Sequence, residues 1–126
     1  MAGQVISKVA TTDGGTHLIS HSLYGTCTVA NTTTAKAVII NDPNINSLTL
    51  TNGLTLTVKF SAANGVANPT LQIYANSGTA ASPTQGTALT TTAVQIKRYD
   101  TTGPSTSAAT SWQANSVVTL TYDGTY

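Results

Sequence analysis

The clearest pattern in the chain is Leu54-Thr55-Leu56-Thr57-Val58-Lys59-Phe60-Ser61, a strict alternation of apolar and polar side chains. A period of two belongs to a strand with one face buried. Leu54, Leu56, Val58 and Phe60 are therefore expected on a core face, with Thr55, Thr57 and Lys59 in solvent. Just upstream, Ser47-Leu48-Thr49-Leu50-Thr51 alternates in the same way, and only Asn52-Gly53 separates the two runs. Asn-Gly suits the positive φ that a type I′ turn needs at both central positions. The sequence thus predicts a β-hairpin over 47–61.

Further apolar runs, spaced by turn residues, extend from Leu18 to Leu23, Thr26 to Ala30, Ala37 to Ile40, Thr70 to Tyr74 and Thr90 to Tyr99. A last run covers Ser116 to Tyr122, in which Val118, Leu120 and Tyr122 share a face. Residues 75–87 and 101–111 are rich in Gly, Ser, Ala, Thr and Pro and read as long loops, a loop-rich insertion at about 75–111. Loops of about a dozen residues are usually functional. Residues 1–16 read as an N-terminal arm with a short strand over Gln4 to Val9 and a turn at Asp13-Gly14-Gly15. Asp123-Gly124 signals one more hairpin turn, followed only by Thr125-Tyr126. The last strand is then expected to leave a sheet edge that either further sequence or a partner chain must cover.

Composition sharpens the fold class. At 126 residues the chain fits one domain. Charged residues make up 7%, against about 25% in ordinary soluble domains. Four Asp, no Glu, four Lys and one Arg are present, and Thr, Ser and Asn fill the surface role. Threonine is β-branched and favours strands, whereas helix-forming surface residues are scarce and no helical period of useful length occurs. The expected fold is all-β: an antiparallel β-sandwich, jelly-roll-like, over residues 17–126 behind the short arm at 1–16.

Charge narrows the partners. A net charge of +1 offers no clustered basic face for nucleic acid or anionic lipid. Lys97-Arg98 is the only adjacent basic pair and reads as a solvated strand end. No stretch approaches the ~18 apolar residues of a membrane helix. Met1 to Lys8 has neither the basic start nor the apolar core of a secretory signal. The single cysteine, Cys27, sits between Thr26 and Thr28 and reads as a small buried hydrophobe rather than a nucleophile.

Little here performs chemistry. Asp13, Asp42, Asp100 and Asp123 are scattered and lie in turn-like contexts, where Asp commonly bonds the backbone two residues on. His17 and His21 have an H-x₃-H spacing without the intervening Glu of a zinc protease. Exposed strand positions account for them, and a metal meeting them on an assembly axis is the alternative. No cofactor-binding motif occurs, so a non-catalytic module is expected. Trp112, Tyr99 and Tyr74 are the candidate contacts for a glycan or host surface, since aromatic faces stack on sugar rings. A core position is the competing reading for Trp112.

Leu23-Tyr24-Gly25-Thr26-Cys27 resembles a module that recurs in tail and appendage proteins of bacteriophages, especially those of gut bacteria. The likeness continues through Ala35-Lys36-Ala37-Val38, Leu54 to Phe60, Asn64-Gly65-Val66-Ala67-Asn68-Pro69-Thr70-Leu71 and Ala114-Asn115, and closes at Tyr122-Asp123-Gly124-Thr125. The arm at 1–16 lies outside it, and the stretch 75–111 is longer than the family's middle. The resemblance implies a virion structural protein, a subunit of a tail fibre, baseplate or capsid appendage. Its partners would be copies of itself, with a trimer favoured, other virion proteins and a host-surface glycan. A virion part folds in the host cytoplasm and leaves on lysis. That reconciles an uncharged surface of extracellular type with the missing export signal. A carbohydrate-binding module that recognises host glycan is the alternative.

Overall fold

The computed structural model describes residues 23–106 and 110–126, with two short strands upstream, β1 (Val9–Ala10) and β2 (Thr16–His17), paired antiparallel. His17 thus lies on a strand, as expected; otherwise the expectations for the arm, for most of the run from Leu18, for the His17 side chain and for His21 lie outside the described residues.

Among the described residues every element is a strand. The described chain continues with β3 (Leu23–Cys27), β4 (Ala35–Ile40), β5 (Thr55–Phe60), β6 (Thr70–Asn76), β7 (Gln85–Ala88), β8 (Val94–Gln95), β9 (Lys97–Asp100), β10 (Gly103–Thr106) and β11 (Ser116–Thr121). The all-β class is as the composition requires. One sheet runs β11-β5-β3-β4-β6-β7, with β8 also on β6, and β9–β10 form a separate hairpin. The wholly antiparallel arrangement expected from the sequence is not what forms. β3 pairs with β5, and β4 with β6, in parallel, which makes the sheet mixed.

The alternation in β5 holds for Leu56, Val58, Phe60 and Lys59, whereas Leu54, Thr55 and Thr57 are all half-buried. Leu56, Val58 and Phe60 are buried, and Lys59 is exposed. Burying such a side chain fully contributes roughly 1.5–3 kcal/mol. β4 follows the same rule with Lys36, Val38 and Ile40 inside. With Cys27, Ile73, Ile96 and Trp112 these apolar side chains form the core.

The hairpin predicted over 47–61 is absent. The Asn52-Gly53 turn is present, with Gly53 at φ 93° and Leu54 N bonding Thr51 O at 2.9 Å. Residues 45–50, however, form no ladder. Both edges of β5 are already taken, by β3 on one side and β11 on the other. Leu48 instead packs against the core without pairing. A local turn signal lost to a long-range pairing.

The stretch 75–111 also departs from a pair of loops. β6 runs on to Asn76, β7 follows, and β9–β10 fold as a hairpin over Thr101-Thr102 with Gly103 at φ 112°. The run Thr90 to Tyr99 breaks into β8 and β9, because Ile96 N bonds Pro69 O at 2.8 Å and Leu89 N bonds Ile73 O at 2.8 Å. Those contacts lace the stretch to β6.

Candidate functional site

Residues from around β5–β11 and from around β6–β8, well separated in the strand order, line a cleft of about 260 Å³. Leu54, Leu56 and Leu120 come from the β5–β11 end; Leu71, Ile73, Val94 and Ile96 come from the β6–β8 end. The sheet therefore curls until β5 and β11 face β6 and β8 across the cleft. Leu50 adds to the apolar wall, so the segment that failed to become a hairpin arm supplies part of the cleft. Its volume lies just below the roughly 300–1,000 Å³ of ordinary small-ligand sites.

The mouth is polar. Lys97, Gln95, Tyr99, Tyr122 and Tyr126 stand there with Thr119 and Thr121. The Lys97 ammonium sits 5.2 Å from the centre of the Tyr126 ring, within cation–π range. The C-terminal turn is built by Asp123, whose Oδ1 accepts the backbone N–H groups of Thr125 and Tyr126 at 2.8 Å each. Those two bonds hold the Asp123 carboxyl below its usual range. The Tyr99 hydroxyl donates to its other oxygen, so β9 is tied to the same turn. At the back, the buried Thr90 hydroxyl accepts Ile73 N–H at 3.2 Å.

Of the three aromatic residues singled out from the sequence, only Tyr99 lines this cleft. It is 60% exposed. Tyr74 is half-buried on β6, its hydroxyl donating to Gln72 Oε1 at 3.2 Å. Trp112 as a stacking platform needs correction. Its indole is 6% exposed and lies against Phe60 with ring centroids 4.2 Å apart, so it is a core side chain. Sequence reasoning missed the aliphatic wall and Lys97, because their strands meet only when the sheet curls.

The lining holds aliphatic, Thr, Gln, Lys and Tyr side chains, with no Ser, Cys, His, Asp or Glu. Cys27 is buried elsewhere, and burial pushes its thiol pKa up. Lys36 is buried near it, with Nζ donating to the carbonyls of Ala30 and Asn31 at 3.2 and 3.4 Å. Burial lowers the Lys36 pKa. The Lys36-Val38-Ile40 alternation was the signal that this lysine points inward. Asp42 behaves as a turn former, its Oδ1 accepting Asn44 N–H at 2.9 Å.

A second feature adjoins the cleft. β11 ends the strand order, and Val117 on it is 58% exposed. Among the described residues nothing pairs with its outer side. No protein-family model, no curated protein and no solved structure matches the chain.

Proposed function

We propose that this chain is a non-catalytic structural module of a bacteriophage particle: a β-sandwich subunit of a tail fibre, baseplate or capsid appendage. It assembles with copies of itself and with other virion proteins. The observation that carries the reading is the outer edge of β11, which no strand among the described residues covers and which has no charged residue in Ser116–Thr121. Proteins that stay monomeric normally blunt such an edge with lysine, proline or a bulge. The cleft lining is largely aliphatic with a few polar and aromatic side chains, the make-up of a binding pocket, which supports a binding role. The resemblance to phage appendage modules gives the particle its place in the proposal. Light scattering over a concentration series, with mass spectrometry of purified particles, tests it. Self-association and presence in the particle are expected; a stable monomer found in no particle counts against it.

Tyr99 favours a second reading, contact with a host-surface glycan at the cleft mouth. It is the exposed aromatic there, and an exposed ring face suits a pyranose. A glycan array on the intact assembly decides: binding lost in Tyr99→Ala supports this reading, and a blank array removes it.

A further inference from the structure

We propose that the cleft between β5–β11 and β6–β8 takes a free, unbranched alkanoate, its alkyl chain among the aliphatic walls and its carboxylate on Lys97 at the mouth. The proposal rests on the binding role given to the cleft above and is independent of the assembly reading.

The walls select the body of the ligand. Leu54, Leu56, Leu71, Ile73, Ile96 and Leu120 bring aliphatic side chains to the cleft. Thr90 is the buried polar residue of the lining, and its oxygens are already engaged. Its hydroxyl accepts Ile73 N–H at 3.2 Å, and its carbonyl accepts Gln72 Nε2 at 2.8 Å. Such walls offer dispersion contact without hydrogen bonds, so a guest gains there by taking its own apolar surface out of water. The aromatic residues of the lining, Tyr99, Tyr122 and Tyr126, stand at the mouth, which leaves the interior to a chain rather than to a stacked ring. An apolar cavity of about 150 Å³ with walls of this kind holds benzene. On that scale the 260 Å³ of the cleft has room for about ten carbons.

Charge selects the head. Lys97 is the one charged side chain in the described lining, and it is half-buried. Its ammonium lies 5.2 Å from the centre of the Tyr126 ring and forms no ion pair among the described residues. A cation resting on a ring face still has N–H groups to give to an acceptor. Gln95, two residues earlier, also lines the cleft, and its amide is a second donor for a carboxylate with two oxygens. Asp123 adjoins Tyr122 but is not part of the lining. Its carboxylate accepts Thr125 N–H, Tyr126 N–H and the Tyr99 hydroxyl, so it is committed to the C-terminal turn. Solvent weakens an ion pair at a half-buried position. The alkyl chain therefore supplies most of the affinity, and Lys97 supplies the choice of headgroup.

The test titrates the full chain with hexanoate, octanoate, decanoate and dodecanoate, each below its micelle-forming concentration, by isothermal titration calorimetry. One ligand per chain is expected. Affinity is expected to rise about fourfold with each buried methylene and to level off near decanoate, where the cleft is full. Methyl NMR shifts at Ile73, Ile96 and Leu120 are expected to report the bound chain. Octanoate should bind about threefold more tightly than 1-octanol. Lys97→Met is expected to abolish that difference by weakening octanoate and leaving 1-octanol unchanged. The absence of binding by every alkanoate overturns the proposal. So does an affinity that climbs through dodecanoate without levelling while the shifts spread over the surface, which is adsorption. Lys97→Met acting on acid and alcohol alike, or on neither, overturns the role of Lys97 and with it the choice of an alkanoate. None of these outcomes bears on the mass of the assembly or its presence in a particle, by which the assembly reading is judged.

Discussion

Phe60 and Trp112 stack with ring centroids 4.2 Å apart and planes inclined by 27°. The pair joins β5, in the middle of the β11-β5-β3 half of the sheet, to the segment that leads into β11. Two stacked buried aromatics add about 0.5–1.5 kcal/mol beyond their buried area. The backbone reinforces the contact: Asn64 N donates to Trp112 O at 3.1 Å, and Asn64 is itself buried.

Removing the indole should be costly. Trp112→Ala is expected to destabilise the fold by about 3–5 kcal/mol, the range for a large buried aromatic. Trp112→Phe should cost less than half of that. It keeps a ring against Phe60 and discards the buried Nε1–H, which has no hydrogen-bond partner among the described residues. Urea unfolding of the two variants separates the outcomes. Equal losses would mean that the stack contributes little.

Gly25 admits no side chain where β3 meets β4. A Cβ built there lies 2.5 Å from Val38 Cγ1 and 3.1 Å from Ile39 O. Val38 is fully buried and stiff at χ1, so it has nowhere to move. Gly25→Ala is expected to cost about 1–3 kcal/mol as overpacking. In the Val38→Ala background that cost should shrink, and a double-mutant cycle of unfolding free energies measures the coupling.

Lys36 and Cys27 give opposite pH dependences. The Cys27 pKa is raised from 9.0 by burial. Its contribution to stability is complete below that value and is lost as pH climbs toward the folded-state pKa, because the unfolded thiol ionises first. The Lys36 pKa is lowered from 10.5 by burial. The unfolded chain holds that proton longer, so stability rises as pH approaches 10.5 from the lowered value. Cys27→Ala is expected to flatten the alkaline fall. Lys36→Met is expected to raise the melting temperature at pH 7, where a buried ammonium bonded only to carbonyls is costly, with the gain shrinking as pH rises. Melting curves at pH 7 and pH 10 check both signs.

Asn76 is the anchor of the turn between β6 and β7. Its Nδ2 donates to Asn41 O and Thr79 O at 2.9 Å each, and its Oδ1 accepts Gly78 N at 2.8 Å and Thr84 N at 2.9 Å. All four of its strong hydrogen-bonding positions are filled, at a site only 5% exposed. Asn76→Asp keeps the shape but removes both donors and buries a charge. A loss of about 2–4 kcal/mol is expected, with faster hydrogen exchange over residues 77–84 as the local readout.

Asn76 also marks where reading the sequence stopped. The composition of residues 75–87 correctly indicates turn-forming chemistry, yet the segment is held in place by one buried amide reaching back to Asn41. No local pattern announces that bond, because its partner lies 35 positions away. Trp112 shows the same limit from the other side: its residue type fits either a core or a binding face, and only the position of Phe60 decides.

By itself the sequence determined which residues turn inward along a strand. The threonine-rich, charge-poor composition required an all-β chain, and the period of two placed Leu56, Val58 and Phe60 in the core. Side-chain alternation is a property of one strand, so it is encoded locally. Which strands become neighbours is not. The tertiary structure decided that β5 lies between β3 and β11, which deprived Ser47–Thr51 of its hairpin and left Leu50 to line a cleft. It likewise put β11 at the end of the sheet. Such pairings are settled by competition for a limited number of strand edges and by the shape of the shared core, and both exist only once the whole chain has folded.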